Sequence, residues 1–122
     1  MGKKKIDRDI ALKVLAAVEA VKNGLADLMD TMFIIYQPED AVGDVGDTVT
    51  FTVVAMNVAS YQWEVAKIGT NTWNNSGSAG ATTETATTVI ANTTYNYRLR
   101  CKLTDADGNV IYSDEVFFHR PT

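Results

Sequence analysis

Between Thr48 and Ser113 the chain alternates apolar and polar residues in short runs, and this feature restricts its fold more than any other. Thr48-Val49-Thr50-Phe51-Thr52-Val53 sets valines and Phe51 on one side and threonines on the other. Tyr61-Gln62-Trp63-Glu64-Val65 repeats the pattern, as does Tyr97-Arg98-Leu99-Arg100-Cys101-Lys102-Leu103-Thr104. A period of two belongs to an extended strand with one buried and one wet face. Several such strands separated by turn residues predict a mostly β chain, an antiparallel β-sandwich. The expected core is Phe51, Val53, Trp63, Leu99 and Cys101.

The turns supply the boundaries. Phe33-Ile34-Ile35-Tyr36 reads as a first strand, ended by Gln37-Pro38. Asp40 to Asp47, with Gly43 and Gly46, reads as turn material. Strands follow at Thr48–Val54 and Tyr61–Lys67, then a turn at Gly69-Thr70-Asn71-Thr72. Asn74 to Gly80 has the composition of a flexible loop. Ala81–Ala91 is threonine-rich and strand-like. A long strand over Tyr95–Thr104 and a last one over Val110–Phe118 flank Asp105-Ala106-Asp107-Gly108-Asn109, a hairpin turn whose signal is Asp107-Gly108.

The first 32 residues have a different period. Val14, Val18, Val21, Leu25, Leu28 and Met32 are spaced by alternating fours and threes. That is an a/d seam of about three heptads on an amphipathic α-helix. Asn23-Gly24 interrupts it, and a mid-helix glycine costs about 1 kcal/mol. A lone helix of this length is marginal in water, so its stripe needs cover. Self-association into a homotrimer or homodimer, docking on another protein and folding back on the sandwich all provide it. The domain reading is therefore an anchoring or oligomerisation segment at 1–32 and a sandwich at 33–122.

Charge and composition exclude several classes. Lys and Arg number 11 against 15 Asp and Glu, a net charge of -4. Nucleic acid is not the expected partner, because phosphate neutralisation needs a basic surface. Only Lys3-Lys4-Lys5 and Arg8 make a basic tip. No run of apolar residues is long enough to span a membrane. The start does not read as a secretory signal, since Lys13 and Glu19 interrupt the apolar stretch. The single cysteine, Cys101, has no partner for an internal disulfide.

The residues of catalysis are scarce. His119 is the only histidine, so neither a nucleophilic relay nor a zinc site assembles. Asp105-x-Asp107-Gly108-Asn109 echoes the start of a calcium loop, but its twelfth position is Val116 where glutamate is needed. Asp40, Asp44 and Asp47 read as turn residues before they read as ion ligands. No catalytic residue, metal or cofactor is expected. Trp73, beside Asn74 and Asn75, is the one aromatic placed for glycan stacking; covering the sandwich edge is its alternative role.

Taken in order, Gln37-Pro38-Glu39-Asp40, Val45 to Val53, Tyr61-Gln62-Trp63, Trp73, Tyr97 to Asn109 and Ser113 resemble the bacterial and phage immunoglobulin-like domains. The resemblance covers about the last ninety residues. It implies an immunoglobulin-like sandwich with Trp63 in the core, Phe51 or Val53 where disulfide-linked relatives place their first cysteine, and a tyrosine corner at Tyr95 or Tyr97. A helical anchor followed by one such head is similar to phage capsid decoration or head-fibre proteins. The resemblance thus implies a non-enzymatic virion surface protein, made in the bacterial host cytoplasm. Its N-terminal segment would meet a capsid or other virion protein, and its head would either attach weakly to host-surface or mucus glycans or stabilise the capsid. The alternative is a carbohydrate- or protein-binding module of a bacterial cell-surface protein.

Overall fold

The computed structural model of the chain describes Lys13, Val14 and residues 31–122. Ten strands follow in order: β1 (Phe33–Tyr36), β2 (Ala41–Val42), β3 (Thr48–Thr52), β4 (Val54–Met56), β5 (Ser60–Lys67), β6 (Asn74–Asn75), β7 (Thr85–Val89), β8 (Tyr97–Thr104), β9 (Val110–Tyr112) and β10 (Val116–His119). A 3-10 turn at Thr94–Asn96 precedes β8.

The strands form two layers. In one, β1 pairs with β4 and β3 with β7, all antiparallel. Val53 joins β3 to β4 and keeps the edge closed by donating its N–H to Glu84 O at 3.0 Å. The other layer runs β2-β10-β8-β5-β6, with β9 also on β8. Among the described strands only β2 and β10 pair in parallel. The long β5–β8 ladder, from Ser60↔Thr104 to Lys67↔Tyr97, is its spine and sets Trp63 opposite Cys101.

The inner faces meet in one core. Phe51, Val53, Trp63, Leu99 and Cys101 are all buried there, with Ile90, Leu103, Val116 and Phe118. Phe51 crosses between the layers: its ring stands edge-on to Phe118 at 5.2 Å and tilted to Trp63 at 6.3 Å. The Trp63 indole N–H donates to Thr83 O at 2.8 Å, so its polar atom is satisfied. Each large apolar side chain buried this way contributes roughly 1.5–3 kcal/mol. That is the scale of a disulfide, about 2–4 kcal/mol, which Cys101 cannot form.

Several boundaries differ from the sequence reading. The Ala81–Ala91 stretch narrows to β7, because Thr83 turns its hydroxyl onto Gly80 O and Thr85 O and holds a turn there. The last strand splits because Ser113 Oγ takes the Cys101 N–H at 2.8 Å, replacing a backbone acceptor and breaking the ladder between β9 and β10. Tyr95 lies in the 3-10 turn rather than in β8. Its hydroxyl donates to Gly43 O at 2.6 Å, tying two loops 52 residues apart instead of closing a local corner.

The edge of β7 is covered. Ala79 and Thr87 exchange both backbone hydrogen bonds, at 3.1 and 2.9 Å, and the Thr83 hydroxyl occupies Thr85 O at 2.9 Å.

Of the helical seam, Val18, Val21, Leu25 and Leu28 lie outside the described residues. Lys13 and Val14 are helical; Lys13 Nζ donates to Ile34 O at 3.0 Å, and Val14 is exposed. Met32 is not helical. It is buried in the sandwich core with Ile34, two residues on, so here the spacing is that of extended chain and not of a helix.

Candidate functional site

The outer face of the β5–β8 layer carries the densest set of interacting polar and aromatic side chains. Alternation along β8 buries Leu99, Cys101 and Leu103 on the core side and sets Arg98, Arg100 and Lys102 on the other face, where Arg98 is itself buried under its neighbours. Register places Glu64 of β5 beside Arg100 and Tyr112 of β9 beside Lys102.

Arg100 is the centre. Its Nε donates to Glu64 Oε1 at 2.9 Å, with the two side chains only 21% and 13% exposed. Its guanidinium carbon lies 4.1 Å from the Trp73 ring centroid and 3.9 Å from that of Tyr112. Such a cation–aromatic contact is worth about 0.5–1 kcal/mol at an exposed site and about 2 when desolvated.

Arg98 builds the support. Its terminal nitrogens donate to Thr70 O at 2.8 Å and Lys67 O at 3.2 Å, and its guanidinium carbon stands 4.7 Å from the Trp73 ring. Nε lies 3.0 Å from Glu115 Oε1, an ion pair without the alignment of a hydrogen bond. These contacts fix the turn that delivers Trp73, where Gly69 takes a φ of +93°. Ala66, buried although outside the core cluster, pairs with Arg98 in the same ladder.

The three glycan-contact candidates do not share a face. Asn75 pairs with Glu64, so it stands on the outer face with Trp73, two residues before it. Asn74 pairs with Val65 and points to the opposite side. The Trp73 ring is half-buried against the two arginines. Sequence reading did not single out Arg98, Arg100, Glu64 or Tyr112, and it took Glu115, with Asp114, for a solvated carboxylate; here Glu115 pairs with Arg98.

Elsewhere the polar groups hold loops. Asp105 Oδ1 accepts the N–H groups of Asp107 at 2.9 Å and Asn109 at 2.8 Å, and Oδ2 accepts the Asn109 amide at 3.0 Å. These bonds, the Asn109 side chain's first, hold the Asp105 carboxyl below the usual carboxylate range. Asp47 Oδ2 accepts the Asp44 N–H at 2.8 Å. Asp40 faces away from both, accepting the Phe117 N–H at 3.0 Å and meeting His119 Nε2 at 2.8 Å. Among the described residues no three His, Cys, Asp or Glu side chains gather to hold a metal ion. Burial pushes the Cys101 thiol up to about 12, out of reach of nucleophilic chemistry near neutrality.

No family model matches the chain, and no curated protein matches it. Solved structures do. A fibronectin-III-like protein from Clostridium thermocellum is 19% identical with a TM-score of 0.50, covering 71% of this chain and 94% of that one. The Dpr1 IG1 domain bound to DIP-eta IG1 is 11% identical at a TM-score of 0.50, over 75% and 96%. Rst D1-D2 is 15% identical at 0.50, over 73% of this chain and 48% of that one. At such identities the likeness is one of fold: the strands from Phe33 to His119 form an immunoglobulin-like β-sandwich.

Proposed function

We propose that this chain is a non-enzymatic display and recognition protein whose sandwich meets its partner through the outer β5–β8–β9 face. The observation that carries this reading is the Arg100 stack. Trp, Tyr and Arg are the residues that dominate binding energy at protein surfaces, and here all three are immobilised in advance. Tyr112 and Val110 remain exposed beside them. A sugar-binding variant of the reading would use Trp73 and Asn75, with Asn74 excluded by its direction.

In the same proposal the N-terminal segment anchors or oligomerises the head through Val14, Val18, Val21, Leu25 and Leu28. The setting we favour is a virion surface, as capsid decoration or head fibre, and a bacterial cell surface is the alternative. The heptad spacing supports the anchoring role. Immunogold labelling of purified virions and of intact bacterial cells with antibody to this chain separates the two settings.

Two experiments test the rest. Trp73→Ala and Tyr112→Ala chains that melt like the parent are expected to lose attachment to host cells; unchanged attachment rejects the face. Sedimentation of the full chain is expected to give an oligomer that Val21→Glu with Leu25→Glu dissociates. A monomer at micromolar concentration rejects self-association.

A further inference from the structure

We infer that Arg100 is the specificity-determining residue of the outer face and that it receives a carboxylate from an acidic side chain of a partner protein. The inference rests on that face being the contact surface.

Three contacts immobilise the guanidinium: Glu64 at Nε, and the Trp73 and Tyr112 rings within 4.1 Å. Within the described residues, neither terminal nitrogen of Arg100 donates a hydrogen bond, and neither is buried. A planar pair of donors is thus held in fixed orientation at a partly exposed edge of a side chain that is 21% exposed in all. That edge matches two carboxylate oxygens, and its rotamer entropy is already lost before binding. Arg98 differs, because its terminal nitrogens are taken by Lys67 O and Thr70 O.

Charge favours an anion. Arg98, Arg100 and Lys102 share the face with Glu64 and Glu115, an excess of one cation on a protein whose net charge is -4. A protein source is favoured over an acidic sugar by the surroundings. Tyr112 exposes its ring beside the fork, with exposed Val110 further along β9 opposite Thr104, and this apolar margin is what a charged contact between proteins uses to exclude water.

The test is an NMR titration of the 15N-labelled full chain with a glutamate-rich hexapeptide, with a lysine-rich hexapeptide and an oligogalacturonate as further arms. The acidic peptide is expected to shift the Arg100 Nε–H and Trp73 indole N–H signals at millimolar concentration. Arg100→Lys keeps the charge but loses the fork, and is expected to weaken binding at least about tenfold. The unshifted Trp63 indole signal confirms that the variant folds. Tyr112→Leu, a milder change, is expected to weaken binding severalfold. No shift with the acidic peptide, equal binding by Arg100→Lys, or shifts with oligogalacturonate alone each overturn the inference. Host-cell attachment separates the two levels. If Trp73→Ala abolishes attachment while the peptide titration is silent, the carboxylate is wrong and the face stands. If attachment survives, the face is wrong as well.

Discussion

Replacing Phe51 with leucine tests whether a single ring holds the two layers together. Phe51 is 1% exposed and touches Phe118 edge-on at 5.2 Å and Trp63 tilted at 6.3 Å, both from the opposite sheet. Leucine keeps an apolar side chain of similar bulk, a change that alone costs under about 1.5 kcal/mol. The two ring contacts are lost in addition, at about 0.5–1.5 kcal/mol each, with the closer edge-on pair the larger. The expected loss is about 1–4.5 kcal/mol from these terms, which lowers Tm by roughly 4–8 °C per kcal/mol in a domain of this size. Urea unfolding followed by tryptophan fluorescence measures it. The specific claim is coupling: Phe51→Leu and Phe118→Leu together should fall short of additivity by about 0.5–1.5 kcal/mol. Additive losses, or a loss under about 0.5 kcal/mol for Phe51→Leu, refute the view that ring geometry and not merely apolar volume joins the layers.

Cys101, with its thiol raised to about 12 by burial, should resist iodoacetamide at pH 8 in the native chain and react fully in urea; mass spectrometry reads both. Asp105 has a lowered carboxyl pKa in the fold, so its stabilisation is present above the unfolded value near 3.8 and disappears as pH falls through the folded one. Asp105→Asn should therefore lower Tm at pH 7, with the gap closing as pH falls through the lowered folded value and the parent's own carboxylate is protonated. Gly80→Ala should cost at least about 2 kcal/mol in thermal melts, because its φ is +75° and an added Cβ collides with Thr85 O. Gly108→Ala meets nothing within 4 Å at φ +88° and should cost only the backbone strain, about 1–2 kcal/mol.

The strands were legible where their residues alternate over a long run. β5 and β8 carry eight residues each with one face apolar, and a one-residue slip would turn that face of either strand to solvent. The splitting of the last strand left a trace in Asp114-Glu115, two polar residues in a row that move the inward phase from Ile111 and Ser113 to Val116 and Phe118; the serine hydroxyl that replaces a backbone acceptor there was not legible. Nor was β2, whose two residues gain their strand character only from β10, 77 positions away. Met32 fits both periods, and tertiary packing decides between them. The Arg100 stack lay partly within reach. The Asp107-Gly108 hairpin fixes Lys102 opposite Tyr112 and so sets Tyr112 diagonal to Arg100. Trp73 gave no such signal, because it is delivered by a turn that Arg98 organises from another strand.

The covered margin of β7 bears on how densely such domains can be assembled. A second molecule seeking to extend that sheet must first strip Ala79 from Thr87, giving up two backbone hydrogen bonds before forming any of its own. Copies that meet along that margin therefore stay separate sheets, and contact there falls to side chains.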